Sequence, residues 1–173
     1  MASELDDDNA PAKAEGDRTA PSARGTARLA AVQALYQMDM AGTDASDVID
    51  EFTRHRFGEH VDGSFYDRAD EPFFKDLVLG VVRAQRELDP LIAAHLAKGW
   101  RLARIDSILR AILRAAAYEL QERGDVPAKV IINEYLQVAH AFFGGDEPGV
   151  VNGILDAIAR GVRSGEIKDR IHG

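Results

Sequence analysis

Several clusters in this 173-residue chain put chemistry-bearing side chains close together. His55 and His60 flank Glu59, residue types that hold zinc. Their spacing is not the i, i+4 pattern that sets two histidines on one helical face, so a solvated loop is the better reading. Asp6-Asp7-Asp8-Asn9 lacks the spacing and the glycine of a calcium loop. The sequence has no glycine-rich phosphate loop, no serine nucleophile elbow and no Glu-x-x-His pair for a di-iron bundle. With no cysteine, disulfides, thiolate catalysis and cysteine-ligated zinc are excluded. The expectation is no catalytic residue, no metal and no cofactor.

The remaining clusters are ionic. Arg18, Arg24 and Arg28 lead into the first apolar-periodic segment. Such arginines usually solubilise a disordered junction, but a small basic arm can also clamp RNA phosphates as it orders. Asp106, Arg110 and Arg114 follow one another down one helix flank. They read as solvent-side i, i+4 ion pairs worth roughly a few tenths of a kcal/mol, or as a charged rim around a partner site. Glu119 and Glu134 border apolar stripes and read as acids bonding a neighbouring helix end. Trp100 and Tyr118 read as packing residues.

The elements that must position these groups are helices. TARLAAVQALYQMDMAG turns Leu29, Val32, Leu35, Tyr36 and Met40 inward, starts near Thr26 and stops at Gly42. A second helix is expected from Ser46 to Phe57, then a loop broken by Gly58 and Gly63. A third begins at Asp70-Glu71-Pro72 with Phe73, Phe74, Leu77, Val78, Val81 and Val82 as its apolar face. Asp89-Pro90 is expected to cap a short fourth helix through Leu96. The fifth, from about Ala103 to Gln121, is the most regular. Asp125 and Pro127 open a sixth by capping and by a first-turn proline, and Gly144 and Gly145 are expected to close it in a left-handed cap. Glu147 and Pro148 open a seventh, burying Val150, Val151, Ile154, Leu155, Ile158 and Val162. No segment alternates with period two. The fold class is all-α, a compact bundle of about seven helices.

The formal net charge of −8 argues against an RNA-binding footprint spread over the whole surface, though not against a local patch. Residues 1–24 read as a disordered acidic, Ala-Pro-rich tail, 25–165 as the helical domain and 166–173 as a C-terminal tail. No apolar run approaches a membrane span, and the N-terminus is unlike a secretory signal. A cytoplasmic protein is expected.

The blocks AVQALYQ (31–37), FFKDLVLGV (73–81), RLARIDSILRAILRAAAYEL (101–120), DVPAKVIINE (125–134) and VVNGILD (150–156) resemble the NusB family of transcription antitermination and ribosomal-RNA synthesis factors. They follow the family's order and spacing over nearly everything from Arg24 to Val162. The long helix ending in YEL before DVPxKVxINE is the specific signature. The resemblance implies two small helical subdomains and no catalysis. It implies binding of boxA RNA together with NusE, a small-subunit ribosomal protein, in an antitermination complex on RNA polymerase.

It also implies RNA contacts at Arg24, Arg28, Gln33, Asp146, Glu147 and Val150, and a NusE surface at Tyr36, Asp106 and Arg110. The chain departs from the family where Gly25-Thr26-Ala27 thins an arginine cluster, and where Gly149-Val150 replaces a basic residue and an aromatic. Fewer cations imply weak RNA affinity without the partner. Two alternatives stay open: an adaptor with little RNA affinity of its own, and a relative of the N-terminal domain of ribosomal-RNA cytosine methyltransferases. An enzyme of the latter kind needs a Rossmann-like domain with a glycine loop, which the sequence up to Gly173 lacks. A monomer and a homodimer are both compatible with the pattern.

Overall fold

The computed structural model describes residues 22–57 and 69–166, and among these every regular element is helical. Helix α1 is Ala23–Ala41 and α2 is Ala45–Glu51, which runs into a wider π turn at Phe52–Arg56. Helix α3 is Glu71–Ala93, and a 3-10 turn at Leu102–Arg104 leads to α4, Ser107–Glu122. Helices α5 and α6 are Ala128–Phe142 and Glu147–Val162. The Glu59-His60 half of the histidine cluster, Asp6 to Asn9, and Arg18 lie outside the described residues.

Helix α4 is the shared wall of the bundle. It packs with α1 and α3 on one side and with α5 and α6 on the other, so the two small helical groups meet over one continuous core. The reason is compositional. Ala111, Ala115, Ala116 and Ala117 leave α4 slim, and Ala27, Ala30, Ala31 and Ala34 face it from α1, all essentially inaccessible. On the α3 side Gly80 does the same work: a Cβ there would overlap the Tyr118 ring. Phe52 stacks on Phe74 with centroids 5.4 Å apart, and Phe57 meets the same ring edge-on at 4.9 Å. These contacts seat the end of the second helical stretch on α3.

The caps explain where the chain turns. Ser22 Oγ accepts the Gly25 N–H at 2.9 Å, and Gly42 ends α1 in the left-handed region at φ +66°. The α1 start thus lies a turn earlier than the apolar pattern suggested. Asp70 accepts the Phe73 N–H and opens α3 as expected, while its own N–H donates to Ala23 O and ties the two helix starts together.

Three more boundaries differ from expectation, those at Pro90, Asp125 and Gly144. Asp89-Pro90 does not start a new helix; α3 passes straight through Pro90. A proline inside a helix removes one hydrogen bond and crowds the preceding turn. Here Leu88 and Ile92, both fully buried, carry the helix across, and the Asp89 carboxylate is bound by Arg114 rather than by backbone N–H groups. Asp125 does not cap α5, because Arg123 takes its carboxylate at 3.0 Å; instead the Glu166 carboxylate accepts the first N–H of the helix, from Ala128. Gly144 and Gly145 form no left-handed cap, since α5 leaves through extended Phe143. At the far end of α4, Arg163 donates to the carbonyls of Glu119, Leu120, Arg123 and Val126, adding donors where the helix and its following turn run out of their own.

Candidate nucleic-acid and partner interface

The α1 start carries the two arginines expected to meet RNA, and the fold treats them differently. Arg24 keeps its side chain 44% exposed, with its guanidinium 4.7 Å over the Phe73 ring and loosely paired to Asp70 at 3.7 Å and Asp125 at 3.9 Å. Arg28, one turn on, has only 3% side-chain exposure. It donates from Nε and Nη2 to the two carboxylate oxygens of Glu119, each at 2.9 Å, and Glu119 is wholly buried. Burial alone would weaken this guanidinium as a base, but the hydrogen bond and charge of Glu119 outweigh it and raise its pKa. Arg28 is therefore an internal strut between α1 and α4, not an outward phosphate contact. Glu119 correspondingly bonds a side chain, not a helix end as expected.

Tyr36 and Met40 were expected inside. They are 36% and 63% exposed. Together with Val32, Ile108 and Phe142 they line an apolar groove of about 380 Å³. Gln33 sits in the same groove, and its side-chain carbonyl oxygen is buried with no hydrogen-bond donor. The structure thus brings the expected RNA contact Gln33 onto the same wall as the expected partner anchor Tyr36.

Asp106 accepts the N–H groups of Ile108 and Leu109 at 2.8 and 3.1 Å and so caps α4; the helix starts later than the periodicity implied. Arg110 and Arg114 do not pair within their own helix. Arg110 bonds Asp39 of α1 at 3.1 Å and the Leu102 carbonyl at 3.1 Å. Arg114 grips Asp89 of α3 at 2.8 and 2.9 Å. These are struts between helices, and only Asp106 of the expected rim is fully at the surface.

The start of α6 places the flanking Asp146 in solvent, Glu147 and Val150 half-buried and Pro148 buried. One Glu147 carboxylate oxygen is buried without a hydrogen-bond donor. Glu147 shares a second cleft, about 410 Å³, with Asp106, Trp100, Arg101 and Arg104. Trp100 was expected to pack; it is 48% exposed. Tyr118 does pack, donating to Asp76 at 2.8 Å, and burial followed by that acid pushes its pKa up to about 12. The Trp100 cleft is what the sequence reading missed. The signal was there in KGWRLAR, where an aromatic is interleaved with cations that have no acid one turn away.

Among the described residues no group of histidines and acids is arranged to hold a metal, and no helix is long and apolar enough to cross a membrane.

The NusB family model matches residues 25–160. A protein of Rhodopseudomonas palustris (strain BisB18) named transcription antitermination protein NusB is 56% identical over 159 residues, covering 92% of this chain and 93% of that one. One of the same name from Nitrobacter hamburgensis is 57% identical over 143 residues, covering 83% and 89%. The solved NusB of T. maritima is 30% identical with a TM-score of 0.67, over 79% of this chain and 90% of the other. A structure of antitermination factors NusB and NusE with double-stranded RNA shares the fold at 22% identity and a TM-score of 0.67.

Proposed function

The chain belongs to the NusB family, and on that premise we propose that it is a transcription antitermination factor of the cytoplasm. It binds boxA RNA of nascent ribosomal transcripts together with NusE and helps assemble an antitermination complex on RNA polymerase. Its role is docking, with no bond-making step. One observation carries the partner half of this reading: an exposed Tyr36–Met40 groove whose Gln33 acceptor has no donor. An aromatic anchor beside an unmet hydrogen bond is the kind of spot where interface energy concentrates. Its relatives bear the antitermination name at better than half identity, and a protein of the same fold has been solved with NusE and RNA.

In this reading Arg24 and the Asp146–Val150 segment touch the transcript, and Tyr36 and Asp106 touch NusE. A second reading is favoured by one observation. With Arg28 buried, the helix start offers a single cation among the described residues, as an adaptor that leaves RNA contact to NusE would. Titration of labelled boxA RNA and a scrambled RNA, with and without NusE, tests both. Selective boxA binding in the presence of NusE is the expected result. Equal affinity for the two RNAs would leave the adaptor.

A further inference from the structure

We propose that the Trp100 cleft is a second RNA contact, in which a base of single-stranded RNA stacks on Trp100 while Arg101 and Arg104 hold the flanking phosphates. The inference rests on the RNA-binding reading and extends it to residues outside the helix start and the loop before α6.

The argument begins with charge. Four arginines of this acidic chain are spent on acids between its helices: Arg28 on Glu119, Arg110 and Arg114 on Asp39 and Asp89, Arg123 on Asp76 and Asp125. Lys98, Arg101 and Arg104 are exposed and, among the described residues, have no carboxylate partner. Three free cations within seven residues make a local positive patch on a protein of net charge −8. An unpaired patch of this kind is matched by a polyanion.

The second step is the aromatic. Gly99 takes φ +88°, a conformation open to glycine, and turns the chain so that Trp100 faces solvent instead of the core. A half-exposed indole costs apolar burial and stays useful where a planar group covers it. Nucleobases stack on aromatic faces irrespective of sequence, with cations alongside for the backbone. The third step is continuity. The cleft is walled by Glu147 at the head of α6, so a strand passing this helix start runs over Trp100. Of the two acids here, Asp106 is engaged through one oxygen by the α4 amides, and one Glu147 oxygen is buried out of reach of the strand.

Trp100 is the chain's one tryptophan, so its emission reports on this cleft alone. A single-stranded RNA of about twenty nucleotides carrying boxA, labelled at its 3′ end, is titrated into the full chain. Binding is followed by label anisotropy and stacking by tryptophan emission. Emission should be strongly quenched as anisotropy saturates. Trp100→Leu should weaken binding about tenfold and Trp100→Phe much less, with circular dichroism unchanged, in line with a stacked base. Arg101→Ala with Arg104→Ala should lower the salt slope by about 1.4, two single-strand phosphate contacts.

RNA binding with Trp100 emission and the Trp100→Leu affinity both unchanged overturns the inference and leaves the parent reading standing. Loss of NusE affinity alone in Trp100→Leu makes the cleft a protein site and overturns it as well. No RNA binding by the unaltered chain, with or without NusE, takes down both.

Discussion

Replacing Arg28 by alanine separates the two roles this residue has been given. In the structure its guanidinium meets Glu119 through two 2.9 Å hydrogen bonds, with Glu134 3.8 Å away and no solvent at the carboxylate. Removing it leaves Glu119 buried without a cation. Such a truncation costs about 3–5 kcal/mol, a large part of the ~5–15 kcal/mol that holds a domain together. The alternative open to the variant is to protonate Glu119. From an ordinary glutamate pKa, that costs about 3.7 kcal/mol at pH 7 and about 1 kcal/mol at pH 5. A carboxyl whose folded pKa is raised gives stability below its unfolded value and loses it as pH rises. The variant's deficit should therefore shrink by up to about 2.7 kcal/mol on going from pH 7 to pH 5. Urea unfolding followed by helical circular dichroism at the two pH values measures this, and Arg28→Met with Glu119→Leu should recover most of the loss. An unchanged unfolding midpoint, with RNA affinity reduced, would refute the strut and return Arg28 to the RNA surface.

Tyr36→Asp should weaken NusE binding by about 2 kcal/mol or more, since it places a charge where an anchor is desolvated; calorimetry with an unchanged helical spectrum checks it. Gly80→Ala should destabilise by roughly 2–3 kcal/mol because the added methyl enters the Tyr118 ring, despite the ~1 kcal/mol that alanine gains in helix propensity; the melting temperature should fall. The raised Tyr118 pKa means stability held below about pH 10 is lost as pH climbs toward 12, on the order of 1 kcal/mol, and Tyr118→Phe should flatten that fall in unfolding curves. Arg24→Ala should reduce RNA affinity a few-fold and lower the salt slope by about 0.7; an unchanged slope would remove Arg24 from the interface.

The helical content was legible because burial enforces periodicity: most of each stripe on α3, α4 and α6 is buried, although Val82 and Val162, expected inside, are 43% and 38% exposed and Val150 and Ile108 are half-buried. The polar ends were less legible, and for one recurring reason. Asp89 and Asp125 look like caps in isolation, but Arg114 and Arg123 claim their carboxylates. Arg28 looks like a free cation because its acid lies 91 residues away in sequence. A one-dimensional pattern records which charges are present and not which of them face each other. Tyr36, Met40 and Trp100 failed in the opposite sense. Sequence assigns large apolar side chains to the core, whereas these three are left exposed among the described residues. Of the residues the family resemblance brought forward, Gln33 and Tyr36 share one groove and Asp106 and Glu147 another. Those juxtapositions need the fold.

The pairing pattern also bears on how an acidic protein handles an anionic transcript. Net charge alone predicts repulsion, yet net charge averages over cations that do different work. The arginines on α4, and Arg28 facing it, are neutralised locally by acids of other helices, so they stabilise the bundle and present little field outward. Among the described residues, exposed cations without an acid partner are scattered, as at Arg54, Lys75 and Lys129, except where Lys98, Arg101 and Arg104 gather beside an indole. Contacts at these three and at Arg24 imply a salt slope of only about −3 for a single strand, too shallow for tight binding by charge release alone. Affinity must then come from stacking and from a partner that brings its own cations. The apolar Tyr36 groove, which lacks any cation of its own except Arg56, is suited to hold that partner beside the RNA rather than to bind RNA itself.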